Sequence, residues 1–143
     1  MSTQRSGRPV DAVAAAYRRS RVLTGSPAEL VVLLYERLLA DLEGSAIAIR
    51  AGDLEAKAVR LQRATDVIFE LLGALDHEVG GEVSQRLAAL YTYMITRLGE
   101  ASRTLDVAIL EELSGHVRSL LTAWRTVAEG SVVADAATGV SPR

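Results

Sequence analysis

Val83, Leu87, Leu90, Met94 and Leu98 recur at steps of three and four, a spacing that lays one apolar stripe along a helix. Tyr91 and Ile95 widen the stripe, whereas Tyr93 falls well off its centre. Just before it stands Gly80-Gly81, where backbone angles costly for a residue with a Cβ are available. A helix arriving through Leu71, Leu72 and Leu75 can end there, and a new one is expected from about Gly81 to Arg103. An ordinary helical hairpin with a glycine turn satisfies this much of the pattern.

The rest of the chain supplies partners for that stripe. Ser26-Pro27-Ala28-Glu29 specifies a helix start: Ser26 caps the first amides, Pro27 sits where its missing N–H is harmless, and Glu29 reaches back. This first helix is expected from Pro27 to about Arg50. Leu30, Val31, Val32, Leu33 and Leu34 cannot all face one direction, so the helix is central in its bundle or exposes an apolar strip to a partner. Ala51-Gly52-Asp53 ends it and caps the next, whose seam reads Leu54, Ala58, Leu61, Thr65, Ile68, Leu72 and Leu75, with Val67 and Phe69 off it. Asp106 caps a last helix with the seam Leu110, Leu113, Val117, Leu120, Trp124 and Val127; Gly115 interrupts it at a cost of about 1 kcal/mol relative to alanine. Long periodic segments joined by short connections predict an all-α, antiparallel four-helix bundle over residues 26–129. Residues 1–25 read as a flexible basic arm with a short helical or extended capping segment over 11–22, and residues 130–143 as a disordered tail.

Composition narrows the function. Aromatic residues make up only 4% of the 143, so the core must be aliphatic and alanine-rich. The absence of cysteine excludes disulfides and Cys-based zinc sites and is compatible with a reducing cytoplasm. The longest unbroken apolar run, Leu30 to Tyr35, is far short of the roughly 20 residues that span a bilayer. The N-terminus has no apolar stretch resembling a signal peptide, so a cytoplasmic protein without stable membrane insertion is expected. Residues 1–25 carry five arginines against one aspartate, net +4, while the remainder carries 11 basic and 17 acidic side chains, net −6. An acidic body repels polyanions, so the arm is expected to contact the body, and no nucleic-acid partner is expected.

Catalysis finds no support in the inventory. A di-iron bundle needs Glu-x-x-His on two helices, but the residues three before His77 and His116 are Ala74 and Leu113. His77 reads as a solvated turn residue, and His116, four after Glu112, as half of a surface pair. No glycine-rich phosphate loop precedes the sole lysine, Lys57, and no spacing singles out a nucleophile–base pair. Hence no enzyme activity and no catalytic, cofactor-binding or metal-ligating residues are expected.

Leu75-Asp76-x-Glu78-x-Gly80-Gly81-Glu82, followed by Leu90-Tyr91-x-Tyr93-Met94 and Arg97-Leu98, resembles the flagellin export chaperone family, FliS. Tyr17-x-x-x-x-Val22 and Thr24-Gly25-Ser26-Pro27-x-Glu29-Leu30-Val31-x-Leu33-Leu34-Tyr35-Glu36 match further blocks in the family's order. After that last tyrosine the family more often has Asp and a small residue; this chain has Glu36-Arg37. The resemblance implies a cytoplasmic bundle that binds the disordered C-terminal helical region of flagellin, prevents premature polymerisation and holds it for type III export, with no cofactor. Export-gate or other flagellar proteins are further candidate partners. The matching blocks offer Leu33, Leu34, Tyr35, Tyr91, Tyr93 and Met94 as the partner-binding surface. Core packing competes for Leu34, Tyr91 and Met94, and Tyr93 is the better candidate. Tyr17 and Val22 become anchors of an arm that covers the groove or helps the client bind. The competing function is a helical scaffold or dimerisation module, homodimeric through the surplus apolar surface of the first helix.

Overall fold

The computed structural model describes the backbone of residues 27–138 and the side chains of residues 28–130. Over that span the chain forms α1 (Pro27–Ala51), α2 (Leu54–Gly73), α3 (His77–Thr104) and α4 (Val107–Thr138), with no strand among the described residues. The expected all-α four-helix bundle is what the chain adopts. The arm, residues 1–25, lies outside the described residues.

Local chemistry sets the boundaries. Gly52, at φ +73°, closes α1 with its N–H on the Ile49 carbonyl, and Asp53 donates to Ala48. The Asp53 side chain then caps α2 by accepting the Ala56 N–H at 3.0 Å. Asp106 does the same for α4, accepting from Ala108 at 3.0 Å. The α2–α3 junction departs from expectation. Asp76 caps α3 by accepting the Val79 N–H at 2.9 Å, so the turn comes at Ala74–Asp76 and α3 opens at His77. The glycine pair is a kink inside α3, with Gly81 at φ +54°, ψ −129°. A capping carboxylate satisfies orphan amides that two glycines cannot, and Gly81 then turns the opening segment against the rest of the helix. Ser84 secures the bend by donating to the Asp76 carbonyl at 3.0 Å. At the other end, α4 continues past Gly130 to Thr138, where Ala134-Asp135-Ala136-Ala137 carries high helix propensity.

α1 lies closely against both α2 and α4, while α3 occupies the opposite corner and stands farther from α4. The core is aliphatic, as the composition requires: Leu38 and Leu42, Leu61 and Ile68, Met94 and Leu98, and Leu110, Leu113 and Val117 all meet inside. Tyr35 and Trp124 pack with tilted rings, centroids 6.4 Å apart. Three seams depart from their expected positions. Val67 is buried and Leu54 exposed on α2, because that helix packs more intimately on α1 than on α3. On α4, Ile109 and Leu121 are buried while Leu120 and Val127 are only partly covered. On α3, Val83 is exposed and Ser84 takes the buried place, because the Gly81 bend resets the helix phase at its start.

Polar contacts frame α1 on both sides. Towards α4, Glu36 pairs with Arg125 at 2.8 Å, Glu43 with Arg118, and Arg50 with Glu111 at 2.6 Å. Each step is seven residues on both helices, running in opposite directions, so the pairs form a ladder along the antiparallel joint. Towards α2, Arg60 reaches Asp41 at 2.9 Å by lying across Gly44; a Cβ there would meet Arg60 Nε at 2.9 Å. Glycine at this position leaves room for the Arg60 side chain to lie across α1.

Candidate partner-binding face

The apolar excess at the start of α1 resolves into two faces. Val31, Val32 and Leu34 pack partly buried against the core, while Leu30 and Leu33 stay 49% and 53% exposed. Further along the same helix Ile47 is 65% exposed. Leu33, Ala40 and Ile47 follow one another at seven-residue steps, which keeps them near one outer line of α1. The helix is therefore central on its inner side and carries an unpartnered apolar strip on its outer side.

Clefts flank the strip. Between α1 and α2 lies an open cleft of about 480 Å³, with Ala40 and Val67 as its apolar lining and arginines and carboxylates around them. Between α1 and α4 are two hollows, about 400 Å³ beside Val32 and Leu33 and about 360 Å³ beside Ile47 and Leu110. The ladder of ion pairs runs along this second side.

Of the candidates read from the sequence, Leu33 lies on this face and Leu34 beside it, half-buried. Tyr35, Tyr91 and Met94 are corrected to core residues, with at most 2% of their surface exposed. Their place follows from hydroxyl chemistry and shape. Tyr35 on α1 and Tyr91 on α3 share a 2.5 Å hydrogen bond across the bundle's diagonal, so each ring enters the core without leaving its oxygen unpaired. Burial raises both phenols above their ordinary value of 10.0. Tyr17 and Val22 lie outside the described residues.

Tyr93 is 41% exposed, as its off-centre position implies, but on another side of the molecule. Its hydroxyl donates to Glu112 on α4 at 2.7 Å, and Arg97 reaches the same carboxylate at 3.2 Å while holding Glu100 at 2.6 Å. His116 Nε2 lies 3.3 Å from Glu112, the surface pair expected from the sequence. These donors, Tyr93 first, hold the Glu112 carboxyl below its ordinary value, and the same bond raises Tyr93. The cluster ties α3 to α4, the two neighbouring helices in loosest contact. Ile47 and Arg37 were missed as surface residues. Extending the seven-residue step from Leu33 reaches Ile47, and Arg37 is half of the departure from the family pattern.

Among the described residues, no group of three or more His, Cys, Asp or Glu side chains could hold a metal ion. Among them also, no helix is long and apolar enough to cross a membrane.

Comparison with known proteins adds an independent line. The family model described as "Flagellar protein FliS" matches residues 10–131. Relatives named "Flagellar secretion chaperone FliS" include that of Campylobacter jejuni, 34% identical over 119 residues, covering 83% of this chain and 93% of the relative. The Salmonella typhimurium protein is 34% identical over 109 residues, covering 76% and 81%. That of Bacillus subtilis is 34% identical over 110 residues, covering 77% and 81%.

Proposed function

The chain belongs to the FliS family of flagellar secretion chaperones, and from that premise we propose that it holds the C-terminal helical region of flagellin in the cytoplasm. The observation that carries this reading is the exposed strip of Leu30, Leu33 and Ile47 along α1, between two clefts. Ordering a flexible segment costs roughly 1–2 kcal/mol per residue, so a holding chaperone must offer a long apolar surface in return. An amphipathic client helix laid on α1 buries its own apolar face against these side chains. Each half-exposed leucine or isoleucine that becomes covered contributes about 1 kcal/mol. The client surfaces used for polymerisation are covered in the same act. The hold is mass action and requires no nucleotide.

Leu33 and Leu34 are the proposed contacts on α1, and Tyr93 a second contact on the α3–α4 side. The arm is proposed to cover the strip in the free protein, with Tyr17 and Val22 as anchors. Being tethered next to α1, it competes at high effective concentration and moves when the client arrives.

Mixing the purified chain with flagellin should give a soluble complex that is lost when flagellin's C-terminal helical region is deleted. Leu33→Asp should weaken that complex at least tenfold without changing helical content. If flagellin fails to bind at micromolar concentration while the chain alone forms a tight dimer, α1 is a dimerisation face and the chaperone reading fails.

A further inference from the structure

The two flanks of the α1 strip differ in how their charges are used. On the α4 flank, Glu36, Glu43 and Arg50 are all paired within the ladder. On the α2 flank, Asp41 is taken by Arg60, and Asp66 accepts from Gln62 at 2.9 Å. Three charged groups lining that cleft remain, Arg37, Arg63 and Glu70, none with a side-chain hydrogen bond or ion pair among the described residues. Arg37 follows Leu33 by one turn of α1, so its guanidinium starts from the apolar strip itself. Ala40, three residues on and next after Leu33 on the strip, leaves room for a second backbone to approach. Arg63 and Glu70 are seven residues apart on α2, about 10.5 Å along its axis.

Resting on the flagellin reading, we propose that Arg37 and Arg63 are specificity residues that select an acidic side chain on the flank of the client helix seated on α1. The matching helix carries that acid facing α2 and a basic residue about two turns away, opposite Glu70. A helix laid on the strip in the other direction, or rotated to turn its acidic flank towards α4, meets the paired charges of the ladder and the like charge of Glu129. The asymmetry thus fixes the client's direction and rotation, which an apolar strip alone does poorly. It also bears on release of the arm. Arg18, Arg19 and Arg21 cannot satisfy Arg37 and Arg63, and Asp11 is the one carboxylate among residues 1–25, so an acidic client competes there against at most a single pairing from the chain's own cover.

The test is titration of the intact chain with the C-terminal region of flagellin from the same organism, at low and high salt. R37E/R63E should weaken binding about tenfold and flatten the salt dependence, because unlike-charge pairs at an interface are screened by ions. R103E, which reverses an exposed arginine on α3, should stay within twofold of the parent. L33D reports on the face itself. If R37E/R63E binds within twofold of the parent with the same salt dependence while L33D binds weakly, the acidic flank is wrong although the face stands. Equal losses in R37E/R63E and R103E mean a general charge effect and also overturn the assignment. If the parent chain does not bind the flagellin fragment, the flagellin reading and this one fall together.

Discussion

Tyr35 and Tyr91 show how little of a side chain's depth is readable from its spacing. Both sit in blocks that resemble the family and stand among the candidate partner-binding residues, with core packing competing for Tyr91. Periodicity places a residue around a helix but cannot say that a hydroxyl 56 positions away waits to pair with it. Tyr93, two residues on from Tyr91, turns by roughly 200° and comes out on the surface, so there the spacing was sufficient. The buried pair makes a sharp test. Tyr35→Phe should cost about 1–3 kcal/mol in urea denaturation, because Tyr91 keeps a buried O–H without a partner. Tyr35→Phe with Tyr91→Phe should cost less than the sum of the two single changes. Ionisation adds a second signature. Both phenols are raised in the folded state, so their contribution is complete below 10.0, the ordinary tyrosine value. It is lost as pH rises further and the unfolded chain ionises, and the double phenylalanine variant should lack that alkaline loss. Glu112 works in the opposite sense. Its carboxyl is lowered, so its contribution is present above the ordinary glutamate value and is lost as pH falls through the folded one. Glu112→Gln should remove that part of the acid-side slope, measured by denaturation at a series of pH values.

Elements were legible where a capping residue announces them. Asp53 and Asp106 open α2 and α4 as the sequence indicates, because a short acceptor before an apolar run satisfies amides that nothing else reaches. The glycine pair was misread for a related reason. Glycine permits a turn, but Asp76 supplies hydrogen bonds for one, and the hydrogen bonds win. Gly81 nevertheless has a backbone conformation that side-chain-bearing residues avoid, so Gly81→Ala should cost about 1–3 kcal/mol although its neighbourhood is open. Seams were legible as stripes but not in phase. A heptad template treats a helix's two neighbours alike, whereas α2 leans on α1, which buries Val67 and leaves Leu54 in solvent. Depth then sets the mutational response: Leu113→Ala, fully buried, should cost about 2–5 kcal/mol, and Leu87→Ala, only partly covered, distinctly less. Chemical denaturation of the two variants in parallel checks the order.

For the whole molecule, the four-helix architecture and the family were readable from pattern, and the surplus of apolar residues on α1 announced a helix with apolar side chains on both an inner and an outer face. What could not be read was the unevenness of the assembly, since how closely helices approach depends on pairings between distant segments. α1 is clasped by two neighbours, whereas α3 stands off from α4 and is tied there by Glu112. Amide exchange should therefore be slowest in the middle of α1 and faster on the α4-facing side of α3, and Arg97→Ala should speed the latter selectively. Uniform exchange across all the helices would contradict this uneven build. The joint between α1 and α4 carries a further consequence. Two of its rungs place the carboxylate on α1, and the third, Arg50 with Glu111, places it on α4. Sliding α4 by seven residues one way sets Glu43 against Glu111; sliding it the other way sets Arg50 against Arg118. A seam that repeats every seven residues discriminates weakly between such alignments. One rung written backwards marks the reading frame, so a helix out of step, whether from the same chain or exchanged from another, meets its own charge.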